Sequence, residues 1–263
     1  MTKPLTTPAE ALGTSTEVDP CAECPPIIDT AAEDAVFSQP RATARHLYLF
    51  ETLQFLREYR DFPLFPISDY RTELMLNGFT RVFVTTAMTG APSQYGLLWR
   101  LEEERQPLAD LIKFLDSSPA CQRFRGTLKN YRRELLYPTA YDSYASSLDP
   151  IIRHHNRAVS TPETAVLVDR VQLHSGALHR FVCGKEKHFI PTVTGRPHGW
   201  TLIASGSVIT SADQEILNFW AMANPNRLMS TMRALGQDTA YLTCVEPCIV
   251  SEQQQLFELR LGV

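Results

Sequence analysis

Six of the seven histidines, His154, His155, His174, His179, His188 and His198, fall between positions 154 and 198, with Arg170, Arg180, Lys185, Lys187 and Arg196 among them. Histidine titrates near neutrality, so two of them on neighbouring elements could serve as general base and general acid. The cations could hold a phosphate ester between them. His174, His179 and His188 are the catalytic candidates under that reading, with Arg180 and Lys187 as binding candidates. The simpler reading is a set of polar strand faces on a half-exposed sheet. His174 and His179 are five apart and would face opposite sides of a regular strand. Asp169 and Glu186 are the only carboxylates in the core of the cluster. The chain has no Walker-A loop, G-x-G-x-x-G turn, H-E-x-x-H pair or G-x-S-x-G elbow.

Cysteine offers a second chemistry. Cys21 and Cys24 form a C-x-x-C pair, and Cys244 and Cys248 a C-x-x-x-C pair, so four thiolates could hold zinc. The spacing is not that of a zinc ribbon, and Pro25-Pro26 directly follows the first pair where a redox C-x-x-C would open a helix. Reduced cysteines without special function are the expectation, and no cofactor is expected. A third group is the basic run Arg123, Arg125, Lys129, Arg132 and Arg133, with Tyr131 and Tyr137 nearby. Arg132 and Arg133 could bind nucleic acid or an acidic partner, or could simply be a solvated helix face neutralised by Glu102-Glu103-Glu104.

The elements expected to position these residues are read from periodicity and turn chemistry. Residues 1–33 are rich in Thr, Pro, Ala and Glu, and are expected to be a disordered acidic tail. Residues 40–60 show Leu49, Leu53 and Leu56 at helical spacing. Ser68 to Leu76 reads as a short helix closed by Gly78, and Thr80–Thr86 as a strand. Residues 94–105 read as a helix, and Pro107 opens another to Leu115. A third runs from Pro119 to Leu136, where Cys121, Phe124, Leu128, Tyr131 and Leu135 recur at 3, 4, 3 and 4. After Thr161 the pieces 165–173, 177–183, 188–193, 200–204 and 240–245 read as strands. Residues 251–261 fit helix or strand. Neither an internal repeat nor a coiled coil is visible.

Ser211–Leu235 reads as two short helices hinged at Asn224-Pro225, because Ile216, Phe219, Trp220 and Ala223 fall on one helical face and Pro225 stops it. The pattern Asp213, Ile216, Phe219, Ala221, Ala223, Asn224-Pro225, Leu228 resembles a segment of bacteriophage early-region (ead-like) accessory proteins. The resemblance covers only this stretch and implies a phage origin without a chemistry.

Composition bounds the rest. A chain of 263 residues with 44% hydrophobic and 21% charged residues is ordinary for a globular protein. Its net charge of −4, concentrated at the N-terminus, argues against coating nucleic acid. No run approaches the ~18 apolar residues of a membrane helix, and no secretory signal opens the chain. The expectation is therefore an α+β protein in three regions. These are the tail 1–33, a mainly helical region 34–160, and an α+β region 161–263 with a small antiparallel sheet and two crossing helices. Residues 34–263 could also share one core. The expected function is that of a phage-encoded accessory protein in the cytoplasm of a bacterial host. It would bind a host or viral macromolecule, a protein above all and nucleic acid in second place, and could inhibit a host defence component. The alternative is an enzyme acting on a phosphate-containing substrate through the histidine and arginine cluster.

Overall fold

His46–Phe55 carries apolar side chains on both of its alternating faces, and in the computed structural model of the chain it is a strand, β1, buried on both faces. The structure describes residues 46–59, 64–89, 94–102, 108–140, 142, 145, 165–194, 199–209, 211, 214–222 and 225–259. The expected tail, with Cys21 and Cys24, lies outside them. After β1 come α1 (Leu64–Leu76), β2 (Phe79–Ala87), β3 (Gln94–Glu102), α2 (Leu108–Ser117), α3 (Pro119–Gly126) and β4 (Leu128–Pro138). The same order then repeats. β5 (Ala165–Leu173) leads into a helical run of α4 (Leu178–Gly184), a π turn (Lys185–Phe189) and α5 (Ile190–Thr194). β6 (Trp200–Val208) and β7 (Glu215–Met222) follow, then α6 (Leu228–Leu235), α7 (Thr239–Cys244) and β8 (Ile249–Leu259). Each half is a βαββαβ unit of ferredoxin-like topology.

The eight strands close into one antiparallel barrel in the order β1-β3-β2-β8-β5-β7-β6-β4. Within each repeat the ladders are long, as from His46↔Glu102 to Gln54↔Gln94. The repeats meet at two short seams, Thr85↔Leu259 to Ala87↔Phe257 and Leu136↔Val208 to Pro138↔Gly206. Closure leaves no free sheet edge. It also gives every strand an inner face toward the lumen and an outer face toward helices. Phe50, Phe83, Leu98, Leu136, Leu217 and Phe219 fill the lumen, where Phe50 and Phe219 meet edge-on at 4.9 Å. Leu49, Leu53, Trp99 and Leu135 pack under α1–α3. Leu167, Val171, Ile216 and Trp220 pack under α4–α7.

One end of the lumen holds charge. The Arg170 guanidinium donates to both oxygens of Glu134, at 2.6 Å each, and to Glu215 at 2.6 Å. Arg132 pairs with Glu134 at 2.8 Å. A bidentate arginine bridge thus spans the interior from β5 to β4.

This architecture corrects the expected one. The first half is no helical region, and the sheet is neither small nor confined to the second half. Residues 46–55, 94–102, 128–138 and 215–222, all expected helical, are strands. Residues 178–184, 190–194 and 239–244, expected to be strands, are helical. The long helix expected over 119–136 ends at Gly126. Double-sided burial explains 46–55, 94–102 and 215–222, since a strand apolar on both faces loses the period-2 signature. The helix ending at Leu76, with Gly78 at φ 88 behind it, and the strands at 79–87, 165–173 and 200–208 follow their local chemistry. No described helix is long and apolar enough to cross a membrane.

The β4–β6 seam depends on Gly206. A Cβ there would lie 2.6 Å from the Cβ of Leu136 and 2.9 Å from the carbonyl oxygen of Tyr137. Gly206→Ala is therefore expected to cost about 2 kcal/mol or more in urea unfolding. Gly126→Ala, where a Cβ meets nothing within 4 Å, is expected to change stability by less than ~1 kcal/mol or to raise it. Equal effects would mean that the seam tolerates a side chain.

Candidate functional site

In each repeat the first strand places one acid on its helix-facing side, in the middle of an apolar run. In the first repeat it is Glu51, fully buried. The Tyr70 and Tyr131 hydroxyls donate to its Oε1 at 2.6 Å each, and the Trp99 indole N–H donates to its Oε2 at 3.0 Å. Burial pushes the Glu51 carboxyl up, and these three bonds hold it down. Three converging donors complete the acid, and stacked Tyr70 and Phe124 rings seal it, with centroids 4.2 Å apart.

In the second repeat the corresponding acid is Asp169, 1% exposed. Its surroundings are not completed. The Asn218 amide donates to Oδ2 at 3.1 Å. That amide is oriented by the Ser205 hydroxyl, which donates to Asn218 Oδ1 at 2.8 Å and itself accepts from Thr139 at 2.8 Å. Asp169 Oδ1 has no donor. The opposing cation is Lys185, which opens the π turn and is wholly buried, its Nζ 3.9 Å from Asp169 Oδ2. Nζ makes no hydrogen bond and lies 3.6 Å from the centroid of Phe189, with Phe181 and Tyr241 at 5.2 and 5.9 Å. Aromatic faces lessen the cost of a desolvated ammonium without supplying acceptors. Phe189 also packs on Trp220 and Trp200, at 5.4 and 6.5 Å between centroids. The indole N–H groups of both tryptophans are buried without partners, as is His188 Nε2 in the π turn. π turns recur at functional sites.

Burial pushes the Asp169 carboxyl up to about 7; Lys185 draws it down, the Glu252 carboxyl on β8 raises it, and Asn218 lowers it. Burial also lowers the Lys185 ammonium, against the pull of Asp169 and Glu252. Burial thus moves both members of the pair toward their neutral forms. Three aromatic rings lie within 6 Å of Lys185 Nζ, and Trp200 and Trp220 pack against one of them, Phe189.

His154, His155, His198 and Arg196 lie outside the described residues, and the described histidines do not gather as a phosphate site would require. His174 is exposed in the turn after β5, its backbone N–H bonded to the Cys248 carbonyl at 2.9 Å. His179 is exposed on α4, and only His188 is partly buried. Arg180 ties α4 to α7 by donating to the Thr243 carbonyl at 3.1 Å, and Lys187 is exposed. Arg132 belongs to the lumen network, and Arg133 pairs with Asp116 at 2.7 Å. Cys244 is disulfide-bonded, and the buried Cys248 thiol donates to the Cys244 carbonyl oxygen at 3.4 Å. Among the described residues no three metal-ligating side chains converge. Sequence reasoning noted Asp169 and Lys185 only as members of the histidine cluster and passed over Glu51. The available signal was an acid interrupting an apolar strand, as in Leu49-Phe50-Glu51 and Leu167-Val168-Asp169.

No protein-family model and no curated protein sequence matches the chain. Its fold does recur in solved structures. A provisionally assigned chlorite dismutase is 12% identical over 82% of this chain and 96% of that chain, with a TM-score of 0.53. A provisionally assigned monooxygenase from Fusobacterium nucleatum subsp. nucleatum is 9% identical over 82% and 93%, at 0.52. An anthrone oxidase-like protein is 9% identical over 84% and 93%, at 0.51. At such identities the fold alone is shared. That fold, carried by proteins with enzyme names, replaces the expected phage accessory protein and its phosphate-acting alternative. The helix pair expected over 211–235 is also corrected, since its first half is β7 and only α6 is helical.

Two outcomes follow from the contrast between the acids. Glu51→Leu strips an acceptor from three buried donors, each costing ~1–3 kcal/mol when unmet, so the loss should be about 3 kcal/mol or more. Glu51→Gln keeps one acceptor oxygen and should lose less, as denaturant unfolding would measure. For Asp169 the native carboxyl binds its proton more tightly than the unfolded chain does. Its contribution to stability is full below the ordinary carboxyl range and is lost as pH rises through about 7. Asp169→Asn should remove that decline from a plot of Tm against pH; a decline that persists would place its origin elsewhere.

Proposed function

We propose that this protein is an oxidoreductase that holds a small aromatic molecule between α4–α7 and the sheet of the second repeat. One observation carries the reading. Asp169 and Lys185 carry unpartnered buried polar atoms beside Phe189, whose ring packs on Trp200 and Trp220 with their unpartnered indole N–H groups, while the equivalent acid of the first repeat is fully bonded. Each unmet group costs ~1–3 kcal/mol, a cost that a bound ligand offsets. Flat apolar walls with a few aimed polar atoms suit a planar ring system bearing oxygen. The fold it shares with an anthrone oxidase-like protein and with proteins provisionally named monooxygenases supports oxidative chemistry.

Within the site the roles follow from charge. The Asp169 carboxylate accepts a proton from a hydroxyl or an activated carbon of the ligand. The Lys185 ammonium lies close enough to stabilise the anion that results. Such an anion is the electron-rich form that dioxygen oxidises. Trp200 and Trp220 donate to the polar edge and fix its orientation. The surrounding rings exclude water, which strengthens the charge interaction.

The test pairs binding with turnover. Hydroxylated naphthalenes and anthrone are titrated against the protein while tryptophan emission and oxygen uptake are followed. Saturable quenching that weakens in Trp220→Phe is expected. Oxygen uptake should fall ~10²–10⁴-fold in Asp169→Asn, as for loss of a general base. Absence of both binding and uptake with every aromatic would remove the reading.

A further inference from the structure

Resting on that aromatic site, we infer that Glu252 is its proton port, sharing a proton with Asp169 and passing it between the buried pair and solvent. The geometry fixes which oxygen of Asp169 carries the proton. Oδ2 accepts from the Asn218 amide at 3.1 Å and faces the Lys185 ammonium at 3.9 Å. The Ser205 hydroxyl holds the amide in that orientation. A proton on Asp169 therefore sits on Oδ1, the oxygen that no donor reaches. In the β5–β8 ladder Asp169 is opposite Gln254 and Val171 is opposite Glu252. Side chains alternate along a strand, so Glu252 stands diagonally across from Asp169 on the same face, within reach of a long side chain. Gln254 Nε2 donates to Glu252 Oε1 at 2.8 Å and steadies it. Glu252 is exposed, whereas Asp169 and Lys185 are not.

The groups facing Asp169 are Lys185 and Tyr241 from the helical layer, the neutral Asn218 from β7, and Glu252 from β8. A carboxylate diagonally across from Asp169 on the same face disfavours the ionised form of Asp169, and a proton shared between the two relieves that repulsion. The proton accounting is short. A ligand hydroxyl or carbon proton passes to the Asp169 carboxylate. The Oδ1 proton of Asp169 passes to the Glu252 carboxylate, and Glu252 releases it to water. Asp169 returns to its ionised form and no electrons move.

The decisive variant is Glu252→Gln, an exposed change expected to leave the fold intact. The Asp169 carboxyl carbon, identified by its loss in Asp169→Asn, is titrated by ¹³C NMR in the wild type and in Glu252→Gln. A downward shift of its midpoint by ~1 unit or more is expected once the neighbouring charge is gone. An unchanged midpoint overturns the proposal, whether or not a substrate is in hand. With an aromatic substrate, Glu252→Gln should slow turnover in dilute buffer, and added acetate should restore it. Wild-type turnover without buffer dependence also overturns it. A wild-type protein that turns over no aromatic would defeat the proposed function alone, and the titration would still decide the proton port.

Discussion

Strands β1, β5, β6 and β7 of this protein must each satisfy two interiors at once. Closing eight strands into a ring removes the sheet edge, but it also removes the solvent face on which strands usually display their polar residues. β1 and β7 show the result, with lumen-facing Phe50 and Phe219 alternating with helix-facing Leu49 and Trp220. Polar residues therefore survive along these strands only where something meets them. The places where nothing in the chain meets them become conspicuous.

The two βαββαβ repeats answer that constraint differently. In the first, the acid on the opening strand is enclosed by two tyrosines and a tryptophan, and the arrangement is complete. In the second, a lysine replaces the tyrosine on the following helix and an asparagine stands on the third strand. The acid and its cation then face aromatic walls with valences unfilled. One scaffold thus supplies a copy whose buried acid is fully bonded and a copy whose buried acid is not. Removing donors from the same position, rather than adding catalytic groups, separates them.

The sequence revealed local punctuation better than architecture. Gly78, Pro107 and Gly236 mark helix ends because their backbone chemistry is local. The β-branched run of β2 and the valine-rich run of β5 were readable as strands for the same reason. Phe219 and Trp220 misled because helical spacing also arises by chance when both faces of a strand are mostly apolar. The repeat itself left no trace, since its copies share topology rather than residues. For the site, the histidines drew attention by number, yet the residues that meet are a lone acid and a lone lysine brought together by β5 and the π turn. Their pairing is long-range, and nothing in the local pattern encodes it.

The arginine bridge across the lumen bears on how the protein comes apart. Glu134 belongs to the first repeat, and Arg170 and Glu215 to the second. The ladders joining the repeats are short, so on backbone pairing alone the halves would open independently. Parting them takes the Glu134 carboxylate from the Arg170 guanidinium beside an apolar lumen, and breaking such a buried pair is strongly unfavourable. Partial opening is thus penalised from inside, and the duplicated units behave as a single cooperative folding unit.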